Sequence, residues 1–391
     1  MSIVDAESLV EHSVQRLFAE QVDRGARERV ETGAFEARLW QLVVDAGFPL
    51  ALAAEATGGS GQTWSAVAPI LHGIGYWQVP LPLAETMVAA LLLSSTGLEV
   101  PAGPIALIEQ GQGNDLHVGG SAGPLVLSGT ALHVAWARHA PTALLSLPGR
   151  LALIDLRARG VACSAAVDAA GMPSDTLRFD RAACLAQAPT GALPPQPVWL
   201  LGALARSLMM VGALESALEQ ALRYAGERMQ FGRPIGSNQA VQQPLALSAG
   251  DVAAARTAAL AAAADAPSSA RVDTPEAAFS IAVAKVRCGE AATHACAIAH
   301  QVHGAIGFTR EHALHFATRR LWAWREQFGS DAWWAARLGA LAIHAGGQRF
   351  WPSLTRRRFD DAAASAQAVT PRDISAPFAA QPHSARRSRG P

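Results

Sequence analysis

The sequence predicts an α+β protein in which a helical region is followed by a block of strands and then by long helices. In the first hundred residues, apolar side chains recur every three or four positions, as in Phe35, Leu39 and Leu42, which is the spacing of helices. Residues 101–192 carry short apolar runs interrupted by Gly, Pro and Asp, a pattern typical of strands. Helical spacing then returns and continues from Val198 to about Phe350.

The composition argues against several classes of function. The chain has 391 residues, 32 basic and 32 acidic side chains, and a formal net charge of zero. A protein that binds nucleic acid through surface charge would carry a basic excess, so nucleic acid is not an expected partner. Half of the residues are hydrophobic, and an apolar chain without net charge favours surfaces that associate with other chains.

No signal peptide, metal site or membrane span is expected. The stretch MSIVDAESLVEHSVQRLF has early acidic residues and lacks the apolar core of a signal peptide. The longest apolar runs, such as Thr257 to Ala264 and Val88 to Leu93, are too short to cross a bilayer. The cysteines form no C-x-x-C pair, which argues against zinc and a disulfide framework; they are Cys163, Cys184, Cys288 and Cys296. We therefore expect a soluble, cytoplasmic protein.

Four regions follow from these patterns. We expect an N-terminal helical domain over residues 1–100, a middle β domain over 101–192 and a C-terminal helical bundle over 193–350. The middle domain contains strand-like runs such as IALIEQ and TALLSLP and is expected to form a small antiparallel barrel or sandwich. Residues 351–391 have little apolar periodicity and are predicted to be a disordered tail.

The bundle is predicted to consist of long antiparallel helices. The first follows leucine-rich spacing from Val198 into the segment ERMQFG, and the second runs from Gln239 to Ala264. The third begins at Ala277 and ends in QVHGAIGF. The first and third helices therefore end in segments that combine amide or charged side chains with glycine.

The first of these segments, ERMQFGRPIG at residues 227–236, has two interpretations. Arg228 offers a guanidinium fork, Gln230 an amide, and the glycine leaves backbone N–H groups accessible, a combination that binds phosphate well. Alternatively, Arg228 only complements the dipole at a helix C-terminus. The second segment, QVHGAIGFT, repeats the combination with small residues that permit close backbone approach. Together the two segments favour a nucleotide site between two helix ends.

With these motifs the sequence resembles the flavin-dependent acyl-CoA dehydrogenases. The matching stretches are RMQFGRPIGSNQAVQQPLA and QVHGAIGFTREHALHFATRR, in the order and at the separation seen in the family. LWQLVVDAGFPLALAAEATGGSG, YWQVPLPLAETM, SGTALHVAWARHAPTALL and PSDTLRFDRAA resemble the same family. The likeness covers about residues 30–345 and includes the bacterial branch that acts on bulky acyl-CoAs such as steroid side chains.

The resemblance implies an N-terminal helical domain, a middle β-barrel and a C-terminal four-helix bundle. It also implies FAD as hydride acceptor, an acyl-CoA substrate, an electron-transfer acceptor, and a homo- or hetero-oligomer in which each FAD lies across two subunits. The flavin ring and acyl chain then occupy one subunit's cleft, while the pyrophosphate and adenine lie on the neighbour's bundle. The residues matching the positions that hold the neighbour's FAD are Arg228, Gln230, Phe231, Gln301, Gly304 and Ala305, the last being usually glycine in the family.

The sequence departs from the family at the groups that act on the substrate. Phe328 stands where the family usually has its catalytic glutamate, and Gly202 lies near the alternative position on the first bundle helix. Glu326 and Asp331 flank Phe328, but they point elsewhere unless the loop reorganises. The usual T-E-P-x-x-G-S-D flavin segment is replaced by IALIEQGQGNDLHVGG. The identity of the catalytic residues is therefore unknown from the sequence.

Two hypotheses of different classes follow. The chain is either an FAD-dependent acyl-CoA dehydrogenase with an unexpected base, or a non-catalytic partner subunit that completes the FAD site of a catalytic relative in a mixed tetramer. A standalone CoA-binding or scaffold protein that has lost flavin is a third alternative.

Other notable residues are interpreted as structural. His303 is expected to pack at a helix end, and Arg319 to support the fold. Glu215 and Asp251 are interpreted as isolated acids on apolar helices. Four tryptophans at helical spacing are expected in the core or in a subunit interface rather than in a substrate cage; they are Trp322, Trp324, Trp333 and Trp334.

Overall fold

The N-terminal domain is helical. The computed structural model describes residues 3–119, 125–268 and 276–357. The helices of the first domain are α1 (Ile3–Gln21), α2 (Arg24–Glu31), α3 (Ala37–Asp45), α4 (Trp64–Tyr76) and α5 (Leu83–Ser95). Asp23 and Thr63 accept hydrogen bonds from backbone N–H groups in the first turns of α2 and α4, which explains where these helices begin. Helix α5 is largely apolar, with Glu85 as its one charged residue, and is buried along most of its length, as expected for a helix inside a protein.

The middle domain is one bent sheet. Its strands are β1 (Ile105–Glu109), β2 (Asp115–Gly119), β3 (Val126–Ala135), β4 (Thr142–Leu147), β5 (Arg150–Asp155), β6 (Val161–Ser164) and β7 (Ser174–Pro189). Their order is β1-β4-β5-β7-β3-β2, with β6 paired to β7. The C-terminal part of β7 pairs with β5, and its N-terminal part pairs with β3 and β6. The long strand therefore curls the sheet around its own apolar core.

One part of the prediction for this domain is wrong. The sequence pattern predicts antiparallel strands, but β1 and β4 are parallel, with Ile105 opposite Thr142. Both strands are buried along their whole length, as parallel pairs usually are. Short apolar runs do not reveal strand direction, because side chains alternate in the same way in both kinds of ladder.

The C-terminal domain is a bundle of long helices with a small hairpin. Its elements are α6 (Pro197–Glu227), β8 (Met229–Gln230), β9 (Arg233–Pro234), α7 (Gln239–Asp265), α8 (Ala277–His303), α9 (Leu314–Glu326), α10 (Asp331–Ala345) and α11 (Gly347–Thr355). Helix α6 packs against α4, α7, α8 and α9. The backbones of α4 and α6 touch, since a Cβ atom at Gly75 would lie 1.8 Å from the carbonyl oxygen of Met209. Only glycine permits so close a crossing.

The C-terminal end departs from its prediction. The sequence predicts a disordered tail from residue 351, but α11 continues from Gly347 to Thr355. Residues 358–391, the remainder of the predicted tail, lie outside the described residues. Helix α11 has nine residues with Pro352 among them, and so short a helix shows too few turns for apolar periodicity to be recognised.

Two helices are long and apolar enough to cross a membrane by length and composition, namely α6 and α7. The most apolar part of α6 is 94% buried inside the fold, and a buried core helix meets the same criterion. The corresponding part of α7 is 33% buried, so α7 presents an apolar face on which Leu247 is 71% exposed. Single polar residues interrupt the apolar runs of both helices, so their mean hydropathy is high although neither contains a long uninterrupted apolar run.

Candidate functional site

The six predicted cofactor residues surround one groove at the end of the bundle. We call it the bundle groove; the β8–β9 hairpin forms one wall, and the end of α8 with the turn after it forms the other. Its volume is about 1020 Å³. The residues that line it include Arg228, Gln230, Phe231, Gln301, Gly304 and Ala305. The fold therefore brings together two motifs that are far apart in the sequence, and their binding of a cofactor stays a prediction.

The first wall is a tight hairpin. Helix α6 ends at Glu227, and Gln230 pairs with Arg233 in the short strands that follow. The two residues between the strands, Phe231 and Gly232, have φ angles of +51° and +77°, the region that two-residue type I′ turns use. The Phe231 ring is fully exposed. The segment is thus more than a helix end, because it presents a fully exposed aromatic ring at the bundle groove.

The second wall is the C-terminal end of α8. Gly304 follows the helix with a φ of +60° and a ψ of −141°, a conformation that L side chains rarely adopt. A Cβ atom at Gly304 would have no neighbour within 4 Å among the described atoms. Gln301 and Ala305 are exposed beside it. This wall therefore offers an amide side chain and uncovered backbone to a ligand.

The chemistry of the bundle groove fits a ligand that contains phosphate. Arg228 and Arg233 supply two exposed guanidinium groups, and the described residues that line the groove include no acidic side chain. Guanidinium groups bind phosphate through paired, charge-assisted hydrogen bonds. The groove volume lies at the upper end of the roughly 300–1,000 Å³ that small-molecule sites occupy. A dinucleotide is an appropriate ligand for a groove of this size and charge.

Behind the groove, His303 joins the two helix ends. Its ring is stacked on Tyr224 of α6, with centroids 4.6 Å apart, and lies 4.4 Å from the ring of His312. Its Nδ1 atom donates a hydrogen bond to the carbonyl oxygen of Ala299 over 2.7 Å. Burial lowers the pKa of His303, so the ring is neutral at pH 7. This placement confirms the interpretation of His303 as a packed residue at a helix end.

The three domains meet at a second region, which contains both positions where the resemblance implies a base. The Phe328 ring packs on Gly202, where a Cβ atom would lie 2.5 Å from the ring. The same ring contacts Trp199 edge-on, with centroids 5.9 Å apart. Phe328 holds this position with a φ of +56°, which is unusual for a bulky residue. Two segments that could each have supplied a base therefore pack together as an apolar contact.

Polar side chains fill the rest of this region, and two of them, Glu85 and Arg206, are buried. We call the region the domain junction and define it by Glu85, Asp168, Gly202, Arg206, Gln327 and Phe328. Arg206 and Glu85 form an ion pair in which both side chains are 3% exposed. Arg206 also donates to Oε1 of Gln327 over 2.6 Å. Its guanidinium carbon lies 5.5 Å from the centroid of the Phe328 ring. The remaining cavity has a volume of about 20 Å³, which is room for about one water molecule.

The acidic residues next to Phe328 are engaged elsewhere. The Glu326 side chain is 64% exposed and lies 3.8 Å from Arg325, and Asp331 binds the same arginine at 3.0 Å. The carboxylates that do enter the domain junction are Glu85 and Asp168, and sequence reasoning missed both. A lone acid in LAETMVAALLL and a lone arginine in LLGALARSLMM were the available signal, because charges are rarely buried unless they are paired.

The interpretation of Glu215 and Asp251 as isolated acids is wrong. Glu215 accepts hydrogen bonds from His72 and Arg256, both over 2.7 Å. Burial alone would raise the pKa of Glu215, but its bonds to these two side chains lower it. Asp251 pairs with Arg287 at 3.2 Å. The partners lie on other helices, so spacing along one helix could not predict them.

The structural interpretation is confirmed for Arg319 and for three of the tryptophans, whereas a role of Trp322 in a subunit interface stays a prediction. Trp324 and Trp334 are 5% and 3% exposed and belong to the main core, against which Trp333 packs; Trp322 is 40% exposed. Arg319 binds Glu31 of the N-terminal domain at 3.0 Å. These contacts hold α9 and α10 against the rest of the protein.

Known proteins resemble this chain in sequence over most of its length. The family described as "Acyl-CoA dehydrogenase, C-terminal domain" matches residues 201–336. The acyl-CoA dehydrogenase IpdE2 of Mycobacterium tuberculosis is 31% identical over 299 residues, which cover 73% of this chain and 80% of that protein. The acyl-CoA dehydrogenase FadE27 of the same organism is 28% identical over 312 residues, which cover 72% and 81%.

Solved structures share the fold. The ChsE4-ChsE5 complex from Mycobacterium tuberculosis superposes with a TM-score of 0.77 at 22% identity, covering 88% of this chain and 99% of that chain. A variant of the Tcur3481-Tcur3483 steroid ACAD has the same TM-score and coverage at 24% identity. These superpositions confirm the predicted α+β architecture. The identity to IpdE2, 31% over 73% of this chain, shows that this chain belongs to the acyl-CoA dehydrogenase family.

Proposed function

We propose that this chain is a partner subunit in an acyl-CoA dehydrogenase assembly. Its bundle groove would hold the pyrophosphate and adenine of an FAD whose ring lies in a catalytic relative. The observation that carries the proposal is the contact between Phe328 and Gly202. It leaves both positions for a base apolar, whereas Arg228, Gln230 and Gln301 remain exposed around the bundle groove.

The domain junction argues against chemistry in this chain. Removing the proton next to a thioester needs a base within hydrogen-bond reach of it. Two carboxylates line the residual cavity, Glu85 and Asp168. Glu85 is paired with Arg206, and Asp168 accepts a hydrogen bond from Nε2 of Gln327 over 3.2 Å. In a space of about 20 Å³, neither can meet a thioester unless the packing is reopened.

The residues of the chain fit one half of FAD and not the other. In the bundle groove, Arg228 and Arg233 would bind the pyrophosphate, Gln301 would bind and orient the nucleotide, and Gly304 would allow it close to the backbone. The domain junction lacks the volume for a flavin ring. FAD supplies hydride acceptance when it is bound, and in our proposal that takes place in the catalytic relative.

The exposed surfaces of the chain support an assembly of unlike subunits. Phe231 is fully exposed, and burying a phenylalanine contributes about 1.5–3 kcal/mol. The apolar face of α7 is a second surface suited to association. Two solved structures with the same fold carry paired names, ChsE4-ChsE5 and Tcur3481-Tcur3483, and the first is described as a complex. By analogy, we propose a mixed tetramer in which half of the subunits carry active sites.

The substrate and the electron acceptor would then be bound by the catalytic relative. We propose an acyl-CoA with a bulky acyl group, such as a steroid side chain, and an electron-transfer protein as acceptor. The likeness to a protein named as a steroid ACAD supports the acyl class. The assembly is proposed to be cytoplasmic.

The alternative is a working enzyme, and a specific observation indicates its base. Glu85 is the junction carboxylate whose partner, Arg206, lies over Phe328, whereas Glu326 is mostly exposed. If the chain turns over acyl-CoA by itself, Glu85 is the residue to replace first.

Flavin content tests the proposal. The full-length chain would be purified alone and together with a relative that carries the family's glutamate. Flavin absorbance per chain would be measured after gel filtration. We expect little flavin on the chain alone and about one flavin for every two chains in the mixture. A full flavin on each isolated chain would contradict the proposal.

A further inference from the structure

We propose that His303 is a positioning residue that makes the bundle groove dependent on pH. Neutral His303 holds the ends of α6 and α8 together, and its protonation releases them. This inference rests on the proposed role of the bundle groove as a nucleotide site, but its test does not require a bound nucleotide.

The position of His303 couples the two walls. Its ring is stacked on Tyr224 in the last turn of α6, at 4.6 Å. The N–H group of Arg228 donates to the carbonyl oxygen of Tyr224 over 2.9 Å, so the hairpin wall begins one turn from the stack. On the other side, Gly304 follows His303 directly. The stack therefore sets the spacing between Arg228 and the α8 wall.

The ring is hydrogen-bonded as a neutral imidazole. Nδ1 must carry a proton, because its partner at 2.7 Å is the carbonyl oxygen of Ala299. Nε2 is buried and has no hydrogen-bond partner among the residues that the structure describes. A second proton on His303, which is 3% exposed, would create a buried cationic N–H group without an acceptor. Burying such a group is unfavourable.

The groups that face His303 in the described part of the chain supply no negative charge that would stabilise a second proton on its ring. They are Tyr224 on α6, His300 on α8, and His312 in the segment before α9, whose Nδ1 accepts from the N–H group of Leu314 over 3.1 Å. Burial lowers the pKa of His300 and of His312, and the neighbouring His303 lowers both further. None of these neighbours is negatively charged at neutral pH. Protonation would therefore add positive charge to a cluster that already disfavours it.

The direction of the pH effect follows from this environment. An exposed histidine has a pKa of about 6.5, and native His303 binds a proton less tightly. The closed groove is thus at full stability above about pH 6.5 and loses stability as the pH falls. Each pH unit below that value favours opening by about tenfold, until the native pKa is reached.

Hydrogen exchange read by mass spectrometry on the full-length chain tests this inference. Wild type and His303→Phe would be compared at pH 8 and again at pH 5.5, so that intrinsic exchange rates cancel at each pH. Phenylalanine keeps a stacked ring but does not titrate. At pH 5.5 we expect residues 224–236 and 299–309 to exchange faster in wild type, by up to about tenfold, with no difference at pH 8. His294→Phe is the matched control: His294 is an exposed histidine of α8 that does not line the groove, so this variant should keep the pH effect.

Equal exchange of wild type and His303→Phe at pH 5.5 would overturn the inference. If His303→Phe does not fold, wild type alone decides: groove segments that keep the same protection relative to β4 and β5 at both pH values contradict it. In a separate experiment, ADP is added to the wild-type protein at pH 8, and hydrogen exchange of the two groove segments is measured. If ADP protects neither groove segment, the nucleotide site is disproved, while the pH result still judges His303 by itself.

Discussion

The bundle groove and the domain junction both contain residues of α6 and its flanks, yet they differ in almost every physical property. In the groove, of about 1020 Å³, Arg228 and Arg233 are exposed beside uncharged side chains. In the junction, with a cavity of about 20 Å³, Arg206 is buried and neutralised by Glu85. A guanidinium is available to a ligand only where the protein has not already paired it. The comparison supports our proposal that a ligand binds at one end of α6, whereas the packing at the other end leaves no room for one.

The largest expected effect of the filled domain junction is the loss of turnover in the isolated chain. Loss of a positioned base lowers rates by about 10²–10⁴-fold, so turnover should fall at least that far below the 1–10³ s⁻¹ that is typical of enzymes. Reduction of an artificial electron acceptor with a panel of acyl-CoA thioesters would be measured. Phe328→Glu is not expected to restore activity, because the substituted carboxylate would enter a filled space.

Turnover at a typical enzyme rate by the wild-type chain would show that the domain junction, like the bundle groove, can admit a ligand. The base would then have to be found in the junction itself. Glu85→Gln should abolish that activity, and Glu326→Gln, at an exposed position, serves as the matched control.

The buried ion pair gives the next largest effect. Glu85→Ala leaves Arg206 without its partner in a site that is 3% exposed, and such losses destabilise proteins by about 3–5 kcal/mol. The free energy of unfolding would be measured in urea. The double variant Glu85→Leu with Arg206→Met is the control, and it should lose much less because no charge is left unpaired. A loss below about 1 kcal/mol for Glu85→Ala would show that the junction is not sealed by this pair.

The smallest expected effect concerns Arg228 in the bundle groove. Arg228→Ala removes a charge-assisted contact, so the FAD affinity of the assembled complex should fall by roughly ten- to a hundredfold. Helical content should stay unchanged by circular dichroism. Arg223→Ala, at an exposed position on α6 that does not line the groove, is the matched control. Equal flavin retention by both variants would leave Arg228 only the role of complementing the helix dipole.

Helices and motif residues could be predicted because their signals are local. Apolar spacing located α6, α7 and α8, and the segments ERMQFG and QVHGAIGF marked the two walls before the fold showed that they meet. The contact between Phe328 and Gly202 and the pair of Glu85 with Arg206 could not be predicted in this way. Each joins residues more than a hundred positions apart, and a single sequence carries no record of which distant partners meet.

The β8–β9 hairpin and the stacking of His303 on Tyr224 show a second limit of prediction from the sequence. A Phe-Gly turn is not the usual Asn-Gly signal of a type I′ hairpin, so the sequence suggested a helix end. The packing of His303 was expected, but its stacking on Tyr224 depends on how α6 and α8 lie against each other. Local rules assign each residue to an element, whereas the geometry between elements decides what it touches.

The length of helix α6 fixes the distance and the relative rotation between its two ends. The helix has 31 residues, so it is roughly 46 Å long, and one added residue would shift its far end by about 1.5 Å and turn it by about 100°. An alanine inserted between Arg206 and Tyr224 would leave both sets of side chains intact but rotate the hairpin away from the α8 wall. The number of residues between the two ends is therefore constrained in addition to the side chains at each end.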